Sequence, residues 1–219
     1  MLCLLLTLIG SKQASAFWGE VPFSGSAHFY AAPRFFNDSV LGSANGFDTW
    51  GWPEFGASFG VYELPFRIEP VIGFSYVFKT GNEISTAAGT SIDKFFYQFF
   101  TTEIGARWTA WEQSFFPVIP FVQAGMTYRF GRFKKRTSAV GVRTSVVGGD
   151  FGGNLTGGAI ISFFYDQKRR DDMSSEWELK DFGATLFGSY QPSGLFRHGL
   201  GGVNETGGTS FGGGLYFDW

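Results

Sequence analysis

The sequence predicts an all-β fold, a closed antiparallel up-and-down barrel of eight strands that crosses a membrane. Three observations lead to this prediction: apolar residues recur at every second position in several segments, aromatic residues and glycine are abundant, and charged residues are scarce. The 219 residues include 28 Phe, 8 Tyr, 7 Trp and 32 Gly, and only 16% are charged. An ordinary soluble domain has about 25% charged residues. Lipid-facing aromatic residues and small residues inside a narrow cylinder would together account for this composition.

The composition also excludes several other classes of protein. Disordered segments are poor in aromatic residues, and the glycines lack the three-residue period of collagen. With 17 basic and 19 acidic residues the formal net charge is -2, which gives no general attraction for nucleic acid. Because the aromatic and glycine bias continues along the whole chain, we expect one domain.

The first sixteen residues have the character of a secretory signal peptide. The apolar run Leu2 to Ile9 is followed by a polar stretch that ends in Ala14-Ser15-Ala16, a small-x-small pattern that signal peptidases accept. This run is much shorter than the roughly 20 apolar residues of a membrane-spanning helix. We predict a signal peptide over residues 1–16 and an outer-membrane β-barrel over residues 17–219. Cys3 is the only cysteine and would leave with the signal, so we expect no thiol chemistry.

The first four strands are predicted at residues 22–36, 53–62, 67–79 and 95–108. The first, second and fourth alternate weakly, and the third alternates clearly. Charged and small residues, including Arg67, Glu69 and Lys79, occupy one face of the third strand. The apolar residues of its other face are Ile68, Pro70, Ile72, Phe74, Tyr76 and Phe78.

The last four strands are predicted at residues 118–130, 154–165, 177–190 and 208–219. The fifth strand alternates clearly, and its apolar face faces away from Gln123, Gly125, Thr127 and Arg129. The sixth and seventh alternate weakly. The eighth is the clearest of all, and its apolar parity carries Phe211, Gly213, Leu215, Phe217 and Trp219.

The composition of the less apolar face decides between a soluble sheet and a membrane barrel. A sheet with one face in water needs many charged residues on that face, whereas here the face is mostly Gly, Ser and Thr, which suits the lumen of a small barrel. Such a lumen is just wide enough for side chains. The small residues predicted to point inward are Ser24, Ser26, Ala32, Gly56, Ser58, Gly60, Gly158, Ser162, Ser210, Gly212 and Gly214.

The predicted connections alternate in length, as they do in outer-membrane barrels. The short ones are near Glu63–Pro65, Thr109–Phe115 and Asp166–Glu176, and an even number of strands places both termini on their side, which is the periplasmic side. A ten-stranded barrel is the alternative, because residues 131–153 could contain another hairpin around Val140–Val147. The predicted long connections are residues 38–52, 80–93, 131–153 and 191–206.

The terminal alternation, the exported N-terminus and the rhythm of strands and loops resemble one known class. This is the class of small eight-stranded outer-membrane β-barrels of Gram-negative bacteria, such as the OmpA membrane domain, OmpX and OmpW. The resemblance covers the whole mature chain as an architecture and implies a monomer in the bacterial outer membrane. It also implies insertion by the barrel assembly machinery, which reads a C-terminal signal. Here the signal would be Phe211, Leu215, Tyr216, Phe217 and Trp219.

Charged residues of the third and fourth strands are predicted to meet inside the barrel. Arg67 and Glu69 begin one strand of a hairpin, and Glu103 and Arg107 end the other, so the four lie at the same end. We expect a lumen ionic network that blocks the periplasmic half, because an unpaired buried charge would be costly.

A basic group is predicted at the extracellular rim, where lipopolysaccharide phosphates lie. Guanidinium and ammonium groups bind phosphate well, so lipopolysaccharide contact is the functional interpretation, and a solvated loop is the alternative. The residues of this predicted group are Lys79, Arg129, Arg132, Lys134, Lys135 and Arg136.

The sequence favours a non-enzymatic protein without metal or cofactor. His28 is predicted to face the lumen and His198 to lie in a loop, and two isolated histidines without cysteine do not form a metal site. We expect a lumen plugged by side chains and a contribution to envelope integrity or surface contact through extracellular loops. The alternatives are a narrow, porin-like channel or carrier for small solutes, and an enzyme that modifies lipid A or cleaves proteins.

Overall fold

The alternating segments form strands in the computed structural model, which describes residues 25–36, 51–61, 64–85, 91–111, 116–136, 143–163, 179–192, 196–198 and 207–219. The predicted signal peptide, residues 1–16, lies outside the described residues. The strands, in chain order, are β1 (Gly25–Phe36), β2 (Trp52–Val61), β3 (Ile68–Ser85), β4 (Ser91–Thr109), β5 (Val118–Arg136), β6 (Arg143–Ser162), β7 (Asp181–Gln191), β8 (Phe196–His198) and β9 (Gly208–Asp218).

Eight of these strands close into a single antiparallel barrel. Consecutive strands pair from β1 to β7, β9 pairs with β7, and β9 also pairs with β1. At the closing seam Gly25 and Trp219 exchange two backbone hydrogen bonds of 3.0 Å. The remaining strand, β8, has only three residues and extends the sheet beside Gly149–Phe151 of β6. A cylinder closed in this way has no free sheet edge, which is the condition for strands to cross hydrocarbon.

We name the two ends of the barrel by their position relative to Gly25 and Trp219, which pair where β1 meets β9. The terminal end carries Gly25, Trp219 and the turns that follow β2, β4 and β6, and the distal end is opposite. At the terminal end a 3-10 turn, Pro65–Arg67, joins β2 to β3 with positive φ at Phe66 and Arg67. No helix among the described residues is long and apolar enough to span a membrane.

The eight-stranded prediction is confirmed and the ten-stranded alternative is wrong. Residues 131–136 and 143–153, which the sequence assigned to a loop, continue β5 and β6 as one hairpin, with Arg136 opposite Arg143. Most of the predicted loop 80–93 is strand as well, because β3 runs to Ser85 and β4 starts at Ser91. These segments are rich in glycine and polar residues, which indicated loops. A strand that continues beyond the apolar belt, however, needs no apolar residues on its outer face, because that part of it does not contact lipid.

The predicted faces are also confirmed. On β3 Ile72, Phe74 and Tyr76 are exposed on the outer surface, while Val71 and Val77 are buried inside. Within the described strands, the most exposed apolar side chains are Ile104 and Met126, 72% each, which lie opposite each other on β4 and β5. The outer surface is therefore a broad apolar belt.

Glycine provides the space that the larger lumen side chains need. A Cβ atom at Gly56 would overlap the ring of Tyr30. That ring cannot easily move away, because it packs edge-on against Phe187 with 5.0 Å between ring centroids and lies 5.4 Å from the His28 ring. Gly56 of β2 is thus matched to Tyr30 of β1, which packs in turn against Phe187 of β7.

Gly56→Val is expected to destabilise the barrel by about 1 to 3 kcal/mol, because the added side chain overfills a packed lumen. The matched control is Gly157→Val, since a Cβ atom there meets nothing within 4 Å. Urea unfolding in detergent micelles would measure both. Equal free energies of unfolding for the two variants would contradict the proposed packing.

Candidate functional site

The lumen is the candidate functional site, because it gathers the buried polar and charged side chains of the described strands. At the terminal end its centre is Arg107 of β4, which is 2% exposed. The guanidinium donates to Ser26 Oγ of β1 at 3.1 Å and to Ser58 Oγ of β2 at 2.7 Å. Its Nη1 lies 3.5 Å from Glu69 Oε2 of β3, and Nε and Nη2 donate to Gln123 Oε1 of β5 at 3.2 and 3.1 Å. One side chain therefore connects five of the eight strands.

Glu103 occupies the next level of the lumen, towards the distal end. Its Oε1 accepts a hydrogen bond from Gln123 Nε2 at 3.0 Å, and its Oε2 accepts one from Asn154 Nδ2 at 2.7 Å. Gln123 thus links Arg107 to Glu103 through the two ends of its amide group. A buried carboxylate with donors on both oxygens is stabilised without a direct ion pair.

A small polar cavity lies in the middle of the lumen beside this network. Its volume is about 30 Å³, enough for about one or two water molecules. Its walls include His28, Ser75, Thr101, Glu103 and Asn154. Among the described residues, the buried Ser75 Oγ makes no hydrogen bond of good geometry, so the cavity contains a group that a water molecule would satisfy.

Two further ion pairs lie nearer the distal end. Arg34 of β1 is 3.3 Å from Glu54 of β2 and also donates to Gln191 of β7. Arg129 of β5 is 2.9 Å from Asp150 of β6, and it donates to the carbonyl oxygen of Pro192 at 3.0 Å. All four charged side chains are at most 2% exposed.

Two clusters of apolar side chains fill the lumen around these polar levels. Towards the distal end, Trp52, Val77, Tyr97 and Phe99 form a cluster against Phe36. The ring centroids of Trp52 and Tyr97 are 5.3 Å apart. The second cluster, in the terminal half, consists of Ala32, Ile119, Phe121, Ile160, Phe187 and Tyr216.

Solved structures with the same architecture exist. Two crystal structures of Ail, the attachment invasion locus protein of Yersinia pestis, align over 91% of this chain and 100% of theirs, at 10% identity and with TM-scores of 0.52 and 0.51. The first of these Ail structures is a complex with the heparin analogue sucrose octasulfate. The N-terminal β-barrel domain of OprF from Pseudomonas aeruginosa aligns over 90% of this chain and 97% of that chain, at 14% identity and with a TM-score of 0.45. No family model and no curated protein matches the chain.

This chain shares the fold of small eight-stranded barrels. The predicted resemblance is therefore confirmed at the level of architecture. At such low identity the likeness concerns the fold alone, so the site has to be interpreted from its own residues.

The structure places three of the four predicted network residues together in the lumen. Glu69 and Arg107 are in contact, and Gln123 connects Arg107 to Glu103. Arg67 instead lies in the half-exposed 3-10 turn at the terminal end. The turn displaces Arg67 from β3, which starts only at Ile68.

The predicted basic group is divided between the two surfaces. Assigning Arg129 to lipopolysaccharide contact is corrected, because its odd position on β5 directs it into the lumen, where it pairs with Asp150. Lys79 is also on the inner face, with Nζ 5.2 Å from the ring centroid of Trp52. Arg132 and Lys134 are exposed on the outer face. The side chains of Lys135 and Arg136 lie outside the described residues.

The predicted C-terminal signal lies mainly on the outer surface. Phe211 and Leu215 are exposed, and Phe217 packs against Phe182 with 4.9 Å between ring centroids. Trp219 is half-buried at the seam. Tyr216 lies on the opposite face, 6% exposed, within the terminal apolar cluster.

The histidines show no catalytic arrangement among the described residues. His28 is buried beside Tyr30 and Phe187 and shares a hydrogen bond with Thr185. His198 belongs to β8, and its side chain is outside the described part. Within the described ranges, no group of three His, Cys, Asp or Glu side chains could hold a metal ion.

Sequence reasoning missed Arg34, Glu54 and Asp150. Arg34 and Glu54 are on the inward parity of the first two predicted strands, so their positions gave a usable signal. Their pairing also depends on register, which places Arg34 opposite Trp52 and Ala32 opposite Glu54. Asp150 gave no such signal, because its segment was assigned to a loop.

Asp150→Leu is expected to destabilise the barrel by about 3 to 5 kcal/mol, because it removes the carboxylate paired with a buried guanidinium. Arg129→Met combined with Asp150→Leu should recover most of this loss, since it removes the buried charge as well. Unfolding in urea in detergent micelles gives the comparison, with the exposed Lys134→Gln as a control. A double variant less stable than Asp150→Leu would contradict the interpretation of this pair.

Proposed function

We propose that this chain is a non-enzymatic outer-membrane barrel with a lumen closed by its own side chains. It contributes to envelope integrity or to surface contact through its distal end, which faces the exterior, while the terminal end faces the periplasm. The observation that carries the proposal is the filling of the lumen by buried ion pairs and two apolar clusters. The predicted signal peptide and C-terminal signal support export and insertion.

The outer surface supports a location in a membrane. Its apolar belt would be unstable in water over such an area, since soluble monomers rarely expose large contiguous apolar patches. The same side chains are stabilised in hydrocarbon, and at the level of the apolar belt the described strands close into a cylinder without a free sheet edge. Aromatic residues such as Trp108, exposed near the terminal end, suit the interface between lipid and water.

The contacts inside the lumen support a closed state. A conducting pore would need a continuous aqueous path, and the described lumen contains a cavity of only about 30 Å³. Arg107 crosses the space on the terminal side of this cavity, and the cluster that contains Trp52 and Phe99 fills the space on the distal side. Opening a path would require several packed side chains to move together.

A narrow channel or carrier for small solutes is the second candidate. The central cavity favours it, because the cavity is polar and lies midway between the two closures. Water or a small cation could enter if the hydrogen bonds of Arg107 rearranged. An enzyme is the third candidate, but His28 is enclosed by aromatic rings and offers no access to a lipid substrate.

The folded protein is expected to show no stable single-channel conductance in planar lipid bilayers, because both closures persist in the membrane. A water-filled porin in the same bilayers provides the positive control. Heat-modifiable gel migration and enrichment in the outer-membrane fraction must show that the protein tested is folded and correctly located. A stable, ion-selective open state would overturn the closed barrel in favour of the channel.

Met126→Arg is expected to cost about 2 to 4 kcal/mol of folding free energy in lipid vesicles, the usual cost of Arg on the lipid face at mid-membrane. Val147→Arg is the control, because Val147 is outward-facing but lies beside Arg132 beyond the belt, where the cost falls to about 0 to 1 kcal/mol. Urea-dependent folding into vesicles, followed by gel migration, distinguishes them. Equal effects would show that the belt does not face hydrocarbon.

A further inference from the structure

The distal ends of four strands form a projecting sheet with one strongly basic face. We define this sheet as residues 78–85 of β3, 91–99 of β4, 131–136 of β5 and 143–148 of β6. The register runs without a bulge from Ile68 opposite Trp108 to Ser85 opposite Ser91, and the β4–β5 and β5–β6 pairings are equally regular. Alternation therefore assigns every position in the projecting sheet to one face or the other.

The face that continues the outer surface carries five basic positions. Arg132 and Lys134 are exposed there, and Arg136 has the same parity on β5. The register places Lys94 of β4 opposite Arg136, and Arg136 opposite Arg143 of β6. No acidic residue occupies this face within the projecting sheet. The other face carries a balanced set of charges, which consists of Lys79, Lys135, Glu83 and Asp93.

Five like charges in so small an area imply a polyanionic ligand. Neighbouring strands are about 4.8 Å apart and alternate residues about 6.8 Å apart, so the positions fall within roughly 10 by 14 Å. Like charges directly opposite each other destabilise a sheet, and the row Lys94, Arg136 and Arg143 has this arrangement on three adjacent strands. Bound phosphates would remove the repulsion and give charge-assisted hydrogen bonds.

The position of the basic face relative to the apolar belt indicates what kind of polyanion it would bind. Tyr76, Phe100 and Phe130 are exposed neighbours in register at the distal side of the apolar belt. Aromatic residues continue on the same face beside the first basic positions, because the register places Phe78 level with Arg132. It likewise places Phe96 opposite Lys134. On β5, Arg132 is the next residue on the outer face after Phe130, and Lys134 and Arg136 follow at increasing distance from Phe130. A ligand that binds Arg132, Lys134 and Arg136 together must begin at the membrane surface and extend away from it, as a phosphorylated glycolipid does.

We propose that Arg132, Lys134, Arg136, Lys94 and Arg143 form a binding face for the phosphates of lipopolysaccharide in the surrounding outer leaflet. The inference rests on the proposed outer-membrane location. It differs from the basic group predicted from sequence, because the register removes Lys79, Arg129 and Lys135 and adds Lys94 and Arg143. The ligand approaches laterally within the membrane.

The test is the affinity of the refolded, lipopolysaccharide-free barrel for purified lipopolysaccharide in detergent, at low salt. Arg132→Gln, Lys134→Gln and Arg136→Gln together should weaken binding roughly a hundredfold, since each basic group near an anionic surface contributes about fivefold. The charge-matched control is Lys168→Gln, Arg169→Gln and Arg170→Gln, which are predicted on the periplasmic side. It should bind within about twofold of the unchanged protein. Gel migration establishes that each variant is folded.

A second variant keeps the test informative if the triple variant does not fold. Lys94→Gln with Arg143→Gln should weaken binding roughly tenfold or more, and dephosphorylated lipid A should bind every variant equally weakly. Unchanged affinity in both variants would overturn the inference. The same variants are also tested for binding to heparin, a soluble sulfated glycan. Variants that lose heparin binding but keep lipopolysaccharide binding would overturn the inference in favour of such a glycan. The outer-membrane location is tested separately by fractionation, so unchanged lipopolysaccharide affinity in the variants would not count against that location.

Discussion

Closing eight strands into one cylinder leaves an interior that is only just wide enough for side chains. Every second residue of each strand must fit into that space, so the volumes of facing side chains have to match. The match is visible where Gly56 lies against Tyr30 and where a Cβ atom at Gly60 would overlap the carboxyl group of Glu69. The same geometry places the other half of the residues on the outer surface, which explains how so many aromatic residues and glycines occur in one chain.

The narrow lumen also determines how charges are accommodated. An isolated buried charge is too costly, and an ion pair recovers the cost of desolvation only with good geometry and further hydrogen bonds. Arg107 satisfies this condition through four other strands, and Arg129 through Asp150 and a carbonyl oxygen. These contacts span the cylinder, so they fix distant strands relative to one another as well as filling space. A barrel held in this way is expected to be rigid and closed.

Sequence alone predicted the strand count and the faces of the residues in the predicted strands, because alternation is a local property. The face of Ser26, Val71 or Gln123 follows directly from its parity. Partners across the lumen depend on register and shear, which are properties of the whole barrel, so the contact between Arg107 and Ser26 could not be derived. Strand ends were least predictable. The segments that contain Lys94 and Arg143 have the glycine and polar content of loops, and only their regular pairing shows that they are strands.

The charges inside and outside the barrel follow opposite rules, and the contrast bears on function. Within the lumen, where water is scarce, Arg34, Arg107 and Arg129 each have a carboxylate partner. On the outer face of the projecting sheet, basic positions are adjacent and no acid occurs among them. Burial does not explain why these basic residues are adjacent, since Arg132 and Lys134 are exposed. Strand propensity does not explain it either, because basic residues are not favoured in strands. The proposed external anion would account for these adjacent charges, and its place would be the membrane surface, because the basic positions continue directly from the apolar belt.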